Sequence, residues 1–173
     1  YGVFKGISEL PPACRAFFDC GGLKIEKYWQ LKDHEHRDTL GETVEKVRYL
    51  VTDSIKRQLV SDVPVGTFLS GGLDSSIISS VAARELAKNG KKLMTFSVDY
   101  RDNSKYFKAS KFQPNSDPEY IKAMNEYLGV ENHLVVLDSS DVANALTEAV
   151  KARDLPGMVD VDSSLLLFCK RRG

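Results

Sequence analysis

The stretch Val65-Gly66-Thr67-Phe68-Leu69-Ser70-Gly71-Gly72-Leu73-Asp74-Ser75-Ser76 constrains the fold of this chain more than any other. A short apolar run enters a turn of small residues, and an amphipathic helical pattern over 77–86 leaves it. The order is strand, glycine-rich turn, helix start. Such a turn aims several backbone N–H groups at one point, and the helix N-terminus adds partial positive charge. Phosphate oxygens are the natural guest. The spacing is not Gly-x-x-x-x-Gly-Lys-Ser/Thr, and no lysine sits at the helix start. Gly71 and Gly72 are adjacent, which also excludes the Gly-x-Gly-x-x-Gly dinucleotide pattern.

The elements around this loop set the fold class. Thr39 and Glu42 form a capping-box pattern. Leu40, Val44, Val47, Val51, Ile55 and Leu59 then recur at helical spacing, so a helix is expected to about residue 60. Pro64 ends it, because the residue before a proline avoids helical backbone. Strands are expected over 65–69, 93–98 and 133–137. Helices are expected from the loop to about residue 88, from Asp117-Pro118-Glu119 to Gly129, over 140–150, and from Asp162-Ser163 onward. Residues 100–116 read as a long polar loop. The order helix, strand, helix, strand, helix, strand, helix, helix implies an α/β fold, a doubly wound parallel sheet with helices on both faces. Ligands on such sheets sit at the carboxyl ends of strands. Residues 1–38 lack the periodicity of an independent core and read as a connector, with strand-like pieces at 2–7 and 23–28.

Composition narrows the class. The 173 residues hold 24 Lys+Arg and 24 Asp+Glu. That balance argues against a dedicated nucleic-acid binder, and no apolar run reaches the length of a membrane span. Cys14, Cys20 and Cys169 match no disulfide or zinc spacing and read as reduced cytosolic thiols, so a cytoplasmic location is expected. His34 and His36 lack a third ligand nearby and read as a solvated loop. The start of the chain carries no secretory signal pattern.

The loop resembles the Ser-Gly-Gly-x-Asp-Ser pyrophosphate loop of the ATP pyrophosphatases, which split ATP between its α and β phosphates. With the lead-in Ser61-Asp62-Val63-Pro64-Val65-Gly66, it resembles more narrowly the synthetase domain of glutamine-dependent asparagine synthetases. Gly6-Ile7-Ser8-Glu9-Leu10-Pro11-Pro12 resembles the end of that family's glutaminase domain. Tyr28-Trp29 resembles the linker entry, and Thr95-Phe96-Ser97-Val98 the next nucleotide-contacting strand. The resemblance implies an adenine nucleotide alpha-hydrolase-like fold, incomplete at the C-terminus. Residues 1–38 would be the tail of the glutaminase domain and linker, and 39–173 the N-terminal part of the ATP-binding synthetase domain. It implies asparagine synthesis from aspartate, ATP and glutamine-derived ammonia through β-aspartyl-AMP, with Mg²⁺. The partner is the glutaminase domain of the same protein, and a homodimer is compatible. No nucleic acid or membrane is involved.

Carried onto this sequence, the resemblance assigns Ser70, Gly71, Gly72, Leu73, Asp74, Ser75 and Ser76 to the pyrophosphate, and Leu69 and Val98 to adenine through their backbone. The two glycines let the backbone approach closely. Asp74 is negative inside a phosphate site, and a bridging Mg²⁺ resolves that conflict; the competing reading is a helix cap. Ser163 is the candidate for the aspartate pocket, with Asp160 and Asp162 beside it and helix capping as an equal rival. Asp117, Glu119 and His133 match family positions that ordinary structural roles explain as well. Lys105, Lys108 and Lys111 lie on the long loop, where solvated side chains are the default.

The chain also departs from the family. It begins at Tyr1, without the N-terminal cysteine of the glutaminase, and Cys14 and Cys20 lie in another context. No catalytic residue is assigned within it. The second nucleotide loop and the later acidic and lysine residues are absent, which suggests a fragment or a truncated gene product. The expectation is that this piece binds ATP weakly at best and makes no asparagine alone. Two alternatives share the loop: a related carboxylate-adenylating amide or β-lactam synthetase, and a non-catalytic nucleotide-binding module.

Overall fold

The computed structural model describes residues 3–106, 117–155 and 157–170. The chain divides into two compact units, with the division between Thr43 and Val44.

The first unit holds an antiparallel hairpin, β1 (Cys14–Asp19) and β2 (Gly22–Lys27), registered from Cys14 opposite Lys27 to Asp19 opposite Gly22. Its tight turn is set by Asp19, whose carboxylate accepts the Gly21 N–H at 2.7 Å. Gly22 follows with φ +104°, a conformation that favours glycine. The strand-like piece expected over 2–7 is not formed among its described residues, and the partner of β2 is β1, which the sequence did not mark. The expected 23–28 strand is β2, shifted by one residue.

Helix α1 (Leu40–Arg57) starts at the capping box read from the sequence. The Thr39 N–H donates to Glu42 Oε2 at 2.8 Å, and the Glu42 N–H donates back to Thr39 Oγ1 at 3.4 Å. It stops earlier than expected. The Gln58 and Leu59 amides donate to Ile55 and Lys56, three residues back, which tightens the last turn and closes the helix at Arg57. Its apolar stripe stays largely exposed in this chain: Leu40, Val44 and Val47 are 81%, 45% and 53% accessible.

The second unit carries a parallel sheet of β3 (Gly66–Phe68), β4 (Met94–Tyr100) and β5 (Glu131–Leu137), in that order. Phe68 lies opposite Phe96, and β4 pairs with β5 from Met94–Glu131 to Tyr100–Leu137. Helix α2 (Leu73–Ala87) joins β3 to β4, and α4 (Asp117–Leu128) precedes β5. A four-residue helix, α3 (Asn103–Tyr106), lies in the stretch read as irregular. After β5 come α5 (Ser139–Asn144), α6 (Leu146–Arg153) and α7 (Val159–Lys170).

The two faces of this sheet differ in chemistry. Phe96, Val98, Val135 and Leu137 turn to one face and form the apolar core with Val142 of α5 and Leu167 and Phe168 of α7. Phe168 meets Phe68 and Phe96 edge-on, and His133 stacks on Phe96 with ring centroids 5.1 Å apart. The alternate residues face α2 and α4, and several are polar: Thr67, Thr95, Ser97 and Asn132. Thr67 and Ser79 of α2 share a 2.8 Å hydroxyl bond, and Thr95 donates to Asn125 of α4 at 2.8 Å. Helices therefore pack on both faces, as the alternating order predicts.

Three boundaries differ from expectation for local reasons. The helix expected from residue 140 starts at Ser139, because Asp138 caps α5: its carboxylate accepts the Ser140 N–H at 3.0 Å. The helix expected over 140–150 splits at Ala145, whose amide is shared by the carbonyls of Asp141 and Val142. Helix α7 starts before Asp162, whose own amide donates to Met158 in a helical bond. The Asp162 carboxylate is not a cap either, because Arg153 Nη1 holds it at 2.5 Å.

Candidate nucleotide site

The loop lies at the carboxyl end of β3, between that strand and α2. The strand delivers it in a fixed position: the Leu69 N–H donates to the Phe96 carbonyl at 2.8 Å, and Leu69 is 1% accessible. Gly71 then turns the chain with φ +80°. Its Cα faces the start of α4 so closely that an added Cβ would stand 2.9 Å from the Asp117 carbonyl oxygen and 3.0 Å from Tyr120 Cβ. The first glycine is thus required by packing as well as by φ. Gly72 differs. Its φ of −73° suits any residue, and an added Cβ would meet only Ser70 Oγ, at 3.5 Å.

Gly72 is also the N-cap of α2, and it has no side chain with which to cap. A helix start leaves its first amides without intrahelical partners, and here no side chain closes them. The loop hydroxyls stay close to one another. Ser70 Oγ and Ser75 Oγ are 3.1 Å apart, and Ser75 and Ser76 donate to the Gly72 carbonyl at 3.1 and 2.7 Å. Only long contacts engage the loop amides through side chains: Ser70 N–H to Ser75 Oγ at 3.3 Å and Gly72 N–H to Ser70 Oγ at 3.5 Å. A phosphate oxygen offers those donors a stronger, charged acceptor. Ser70 and Gly72 are exposed and reachable from solvent.

Asp74 is the second residue of α2 and is exposed. Among the described residues its carboxylate takes no hydrogen bond or ion pair, so it does not act as a side-chain cap. It borders an apolar groove formed by Leu50, Val51 and Ile55 of α1 with Ile77 and Ile78 of α2. A single free carboxylate beside a candidate phosphate loop is of the type that holds Mg²⁺, which binds through one or two carboxylates plus substrate oxygens and retained waters. Among the described residues no group of three or more His, Cys, Asp or Glu could hold a metal by itself.

Val98 lies on β4, next to the end of β3. Ser163 is fully buried in α7, and its neighbour Ser164 shares a 2.8 Å hydroxyl bond with Tyr100 at the end of β4. Asp162 is engaged by Arg153, and His133 belongs to the apolar layer. Asp117 and Glu119 sit in the first turn of α4, with Asp117 against the loop. Lys108, Lys111 and the Asp160 side chain lie outside the described residues. Sequence reasoning missed the polar layer of Thr95, Ser97, Asn125 and Asn132, although Thr95 and Ser97 alternate with apolar residues along β4 in a way that marks a polar face.

Comparison with known proteins decides the family, because the asparagine synthase family matches residues 46–172. The chain belongs to the asparagine synthase family. Asparagine synthetase [glutamine-hydrolyzing] 3 of Bacillus subtilis (strain 168) is 52% identical over 170 residues, 98% of this chain and 28% of that protein. Amidase chyE of Penicillium rubens is 32% identical over 161 residues, 88% of this chain and 24% of that protein. Asparagine synthetase B [glutamine-hydrolyzing] of Escherichia coli (strain K12) is 36% identical over 96 residues, 50% of this chain and 17% of that protein. The chain therefore spans less than a third of the length of these relatives. The α/β sheet with flanking helices agrees with membership in the asparagine synthase family. No helix among the described residues is long and apolar enough to cross a membrane.

Proposed function

We propose that the protein carrying this chain makes asparagine from aspartate, ATP and glutamine-derived ammonia. A β-carboxylate oxygen of aspartate attacks the α-phosphorus of ATP. The bond to the β-phosphate oxygen breaks, pyrophosphate leaves, and β-aspartyl-AMP forms. Ammonia then adds to the acyl carbon, AMP departs with the bonding electrons, and a proton is lost to give the amide.

The observation that carries this reading is the loop at 70–76, with its glycine-capped helix start, the exposed Ser70 and the half-buried Ser75 and Ser76, in a chain of the asparagine synthase family. Pyrophosphate leaves well only if its growing charge is met by donors already in place. Ser70, Gly71, Gly72, Leu73, Ser75 and Ser76 supply amides and hydroxyls at one point. Leu69 and Val98 border the adenine. Mg²⁺ would be held by Asp74 and the phosphates and would supply charge neutralisation on the leaving group. Ser163, Asp162 and the end of β4 form the side toward aspartate, which requires the buried Ser163 hydroxyl to become accessible.

Residues 1–38 are the tail of a glutaminase domain and its linker on this reading, and 39–173 the first part of the synthetase domain. The glutaminase domain supplies ammonia, and the protein works in the cytoplasm. The test is pyrophosphate release by the protein as expressed from its gene, with Mg-ATP and a panel of carboxylates. Release that depends on aspartate supports the proposal; ATP bound but never split, whatever carboxylate is added, refutes it. The similarity to an amidase favours keeping one second reading in the panel, a related ligase that adenylates another carboxylate, as β-lactam synthetases do.

A further inference from the structure

The pairing of β3 with β4 ends at Phe68 opposite Phe96, and at the next rung a side chain meets the Leu69 carbonyl. In a parallel ladder a residue that donates its N–H to one partner residue accepts from the amide two positions further along that partner. The Leu69 N–H donates to the Phe96 carbonyl, so the Leu69 carbonyl is due to accept from the Val98 N–H. Among the described residues that bond is not made. The Leu69 carbonyl accepts instead from the Ser97 hydroxyl, at 2.7 Å. Ser97 is 2% accessible, and Leu69 is 1% accessible, so water does not compete for this bond. Asn132 Oδ1 stands 3.3 Å from both Ser97 Oγ and Thr95 Oγ1 as a longer, competing acceptor, while the shorter bonds take the protons: Ser97 donates to Leu69 and Thr95 to Asn125 of α4.

We propose that Ser97 is a positioning residue that diverts the Leu69 carbonyl from the sheet ladder and thereby keeps the Val98 backbone open to the adenine base. Residues of a parallel strand alternate the neighbour to which their N–H and C=O point. Phe96 points both toward β3, and Val98, two residues on, does the same where β3 pairing has ended. One residue thus presents a donor and an acceptor side by side at the edge of the nucleotide site. Adenine offers the complementary pair, a ring nitrogen acceptor beside an exocyclic amino donor. Guanine carries a ring N–H donor beside a carbonyl, which inverts the pattern. Without the Ser97 hydroxyl, a buried carbonyl is left without a donor, and the cheapest remedy is to take the Val98 N–H and zip the ladder by one rung.

This inference rests on the ATP-binding reading, and the experiment separates the two. Mg-ATP and Mg-GTP affinities are measured by calorimetry on the protein as expressed, native and Ser97→Ala, with amide hydrogen exchange resolved at Val98. Ser97→Ala is expected to weaken ATP about fivefold, as loss of one hydrogen bond does, with GTP and the KM for aspartate unmoved. The Val98 amide is expected to exchange slowly in the variant and fast in the nucleotide-free native protein. Unchanged ATP affinity, or an equal loss of ATP and GTP with unchanged Val98 exchange, overturns the proposal while leaving the ATP reading intact. No ATP binding by the native protein overturns both. If Ser97→Ala fails to fold, native exchange decides: fast without nucleotide and slow with Mg-ATP supports the proposal, and slow in both states overturns it.

Discussion

The two adjacent glycines of the loop should fail in opposite ways when a single methyl is added. At Gly71 the methyl enters a backbone with φ +80° and meets the Asp117 carbonyl at 2.9 Å and Tyr120 Cβ at 3.0 Å. The left-handed conformation costs about 1–2 kcal/mol for an L-residue. Forcing the start of α4 away adds about 1–3 kcal/mol, the usual range for overpacking. Gly71→Ala is therefore expected to lose about 2–5 kcal/mol, a large part of the 5–15 kcal/mol typical of a native protein. For a chain of this size that is a fall in Tm of roughly 4–20 °C. At Gly72 neither cost applies, since φ is −73° and the nearest atom is Ser70 Oγ at 3.5 Å. Gly72→Ala should keep its stability or gain about 0.4–1 kcal/mol from a stiffer unfolded chain. On the proposed function, its methyl, beside Ser70 Oγ, enters the space through which a phosphate approaches the backbone. Loss of even one charge-assisted hydrogen bond, worth about 1.5–3 kcal/mol, weakens Mg-ATP at least about tenfold. Thermal unfolding and calorimetric titration on both variants test this. A Gly71→Ala protein as stable as the native one, or a Gly72→Ala protein with native ATP affinity, would refute the division of roles.

Other substitutions probe separate parts of the account. Asp74→Asn should lower Tm by no more than about 1–4 °C, the scale of one first-turn carboxylate's interaction with a helix N-terminus, yet slow pyrophosphate release about 100-fold or more, the scale of losing several kcal/mol of charge stabilisation by a metal. Gly66→Ala places a methyl 2.4 Å from Phe96 Cε2; the ring must turn away from β3, and a fall in Tm of roughly 2–12 °C is expected from about 1–3 kcal/mol of overpacking. The Glu42 carboxyl is held below its ordinary range by the Thr39 N–H and then by the Thr39 hydroxyl. Its contribution is present above the unfolded carboxyl's pKa and is lost as pH falls through the lower folded value. Helix content at the start of α1 should drop in that acidic window, and Glu42→Gln should remove this part of the pH dependence.

Much of the fold could be read from residues whose preference is local. Alternating strand and helix patterns give the parallel sheet, and Thr39 with Glu42 marks the start of α1 because both halves of that cap lie within one turn. Gly129, with φ +59°, closes α4 where a glycine stop is expected. What stayed hidden depends on partners distant in sequence. Strand β1 carries Phe17-Phe18 and no clean alternation, and it becomes a strand by pairing with β2 across a two-residue turn. Asp162 looks like a helix cap until Arg153, nine residues earlier, claims its carboxylate. The loop reads as a candidate phosphate site because small residues and two glycines fall in one short run. That Gly71 is pinned by α4, and that Ser97 reaches the Leu69 carbonyl, required bringing together segments 46 and 28 residues apart.

On the proposed function, the backbone and hydroxyls at 70–76 receive the pyrophosphate end of ATP. The most direct test of that claim is a structure of the protein with Mg²⁺ and an ATP analogue that cannot be split between the α and β phosphates. β- and γ-phosphate oxygens are expected within hydrogen-bond distance of the Gly71–Leu73 amides and the Ser70 or Ser75 hydroxyl, with Asp74 among the residues that would hold magnesium. Phosphates bound elsewhere, with the loop bonds between Ser70, Gly72 and Ser75 unchanged, would contradict it.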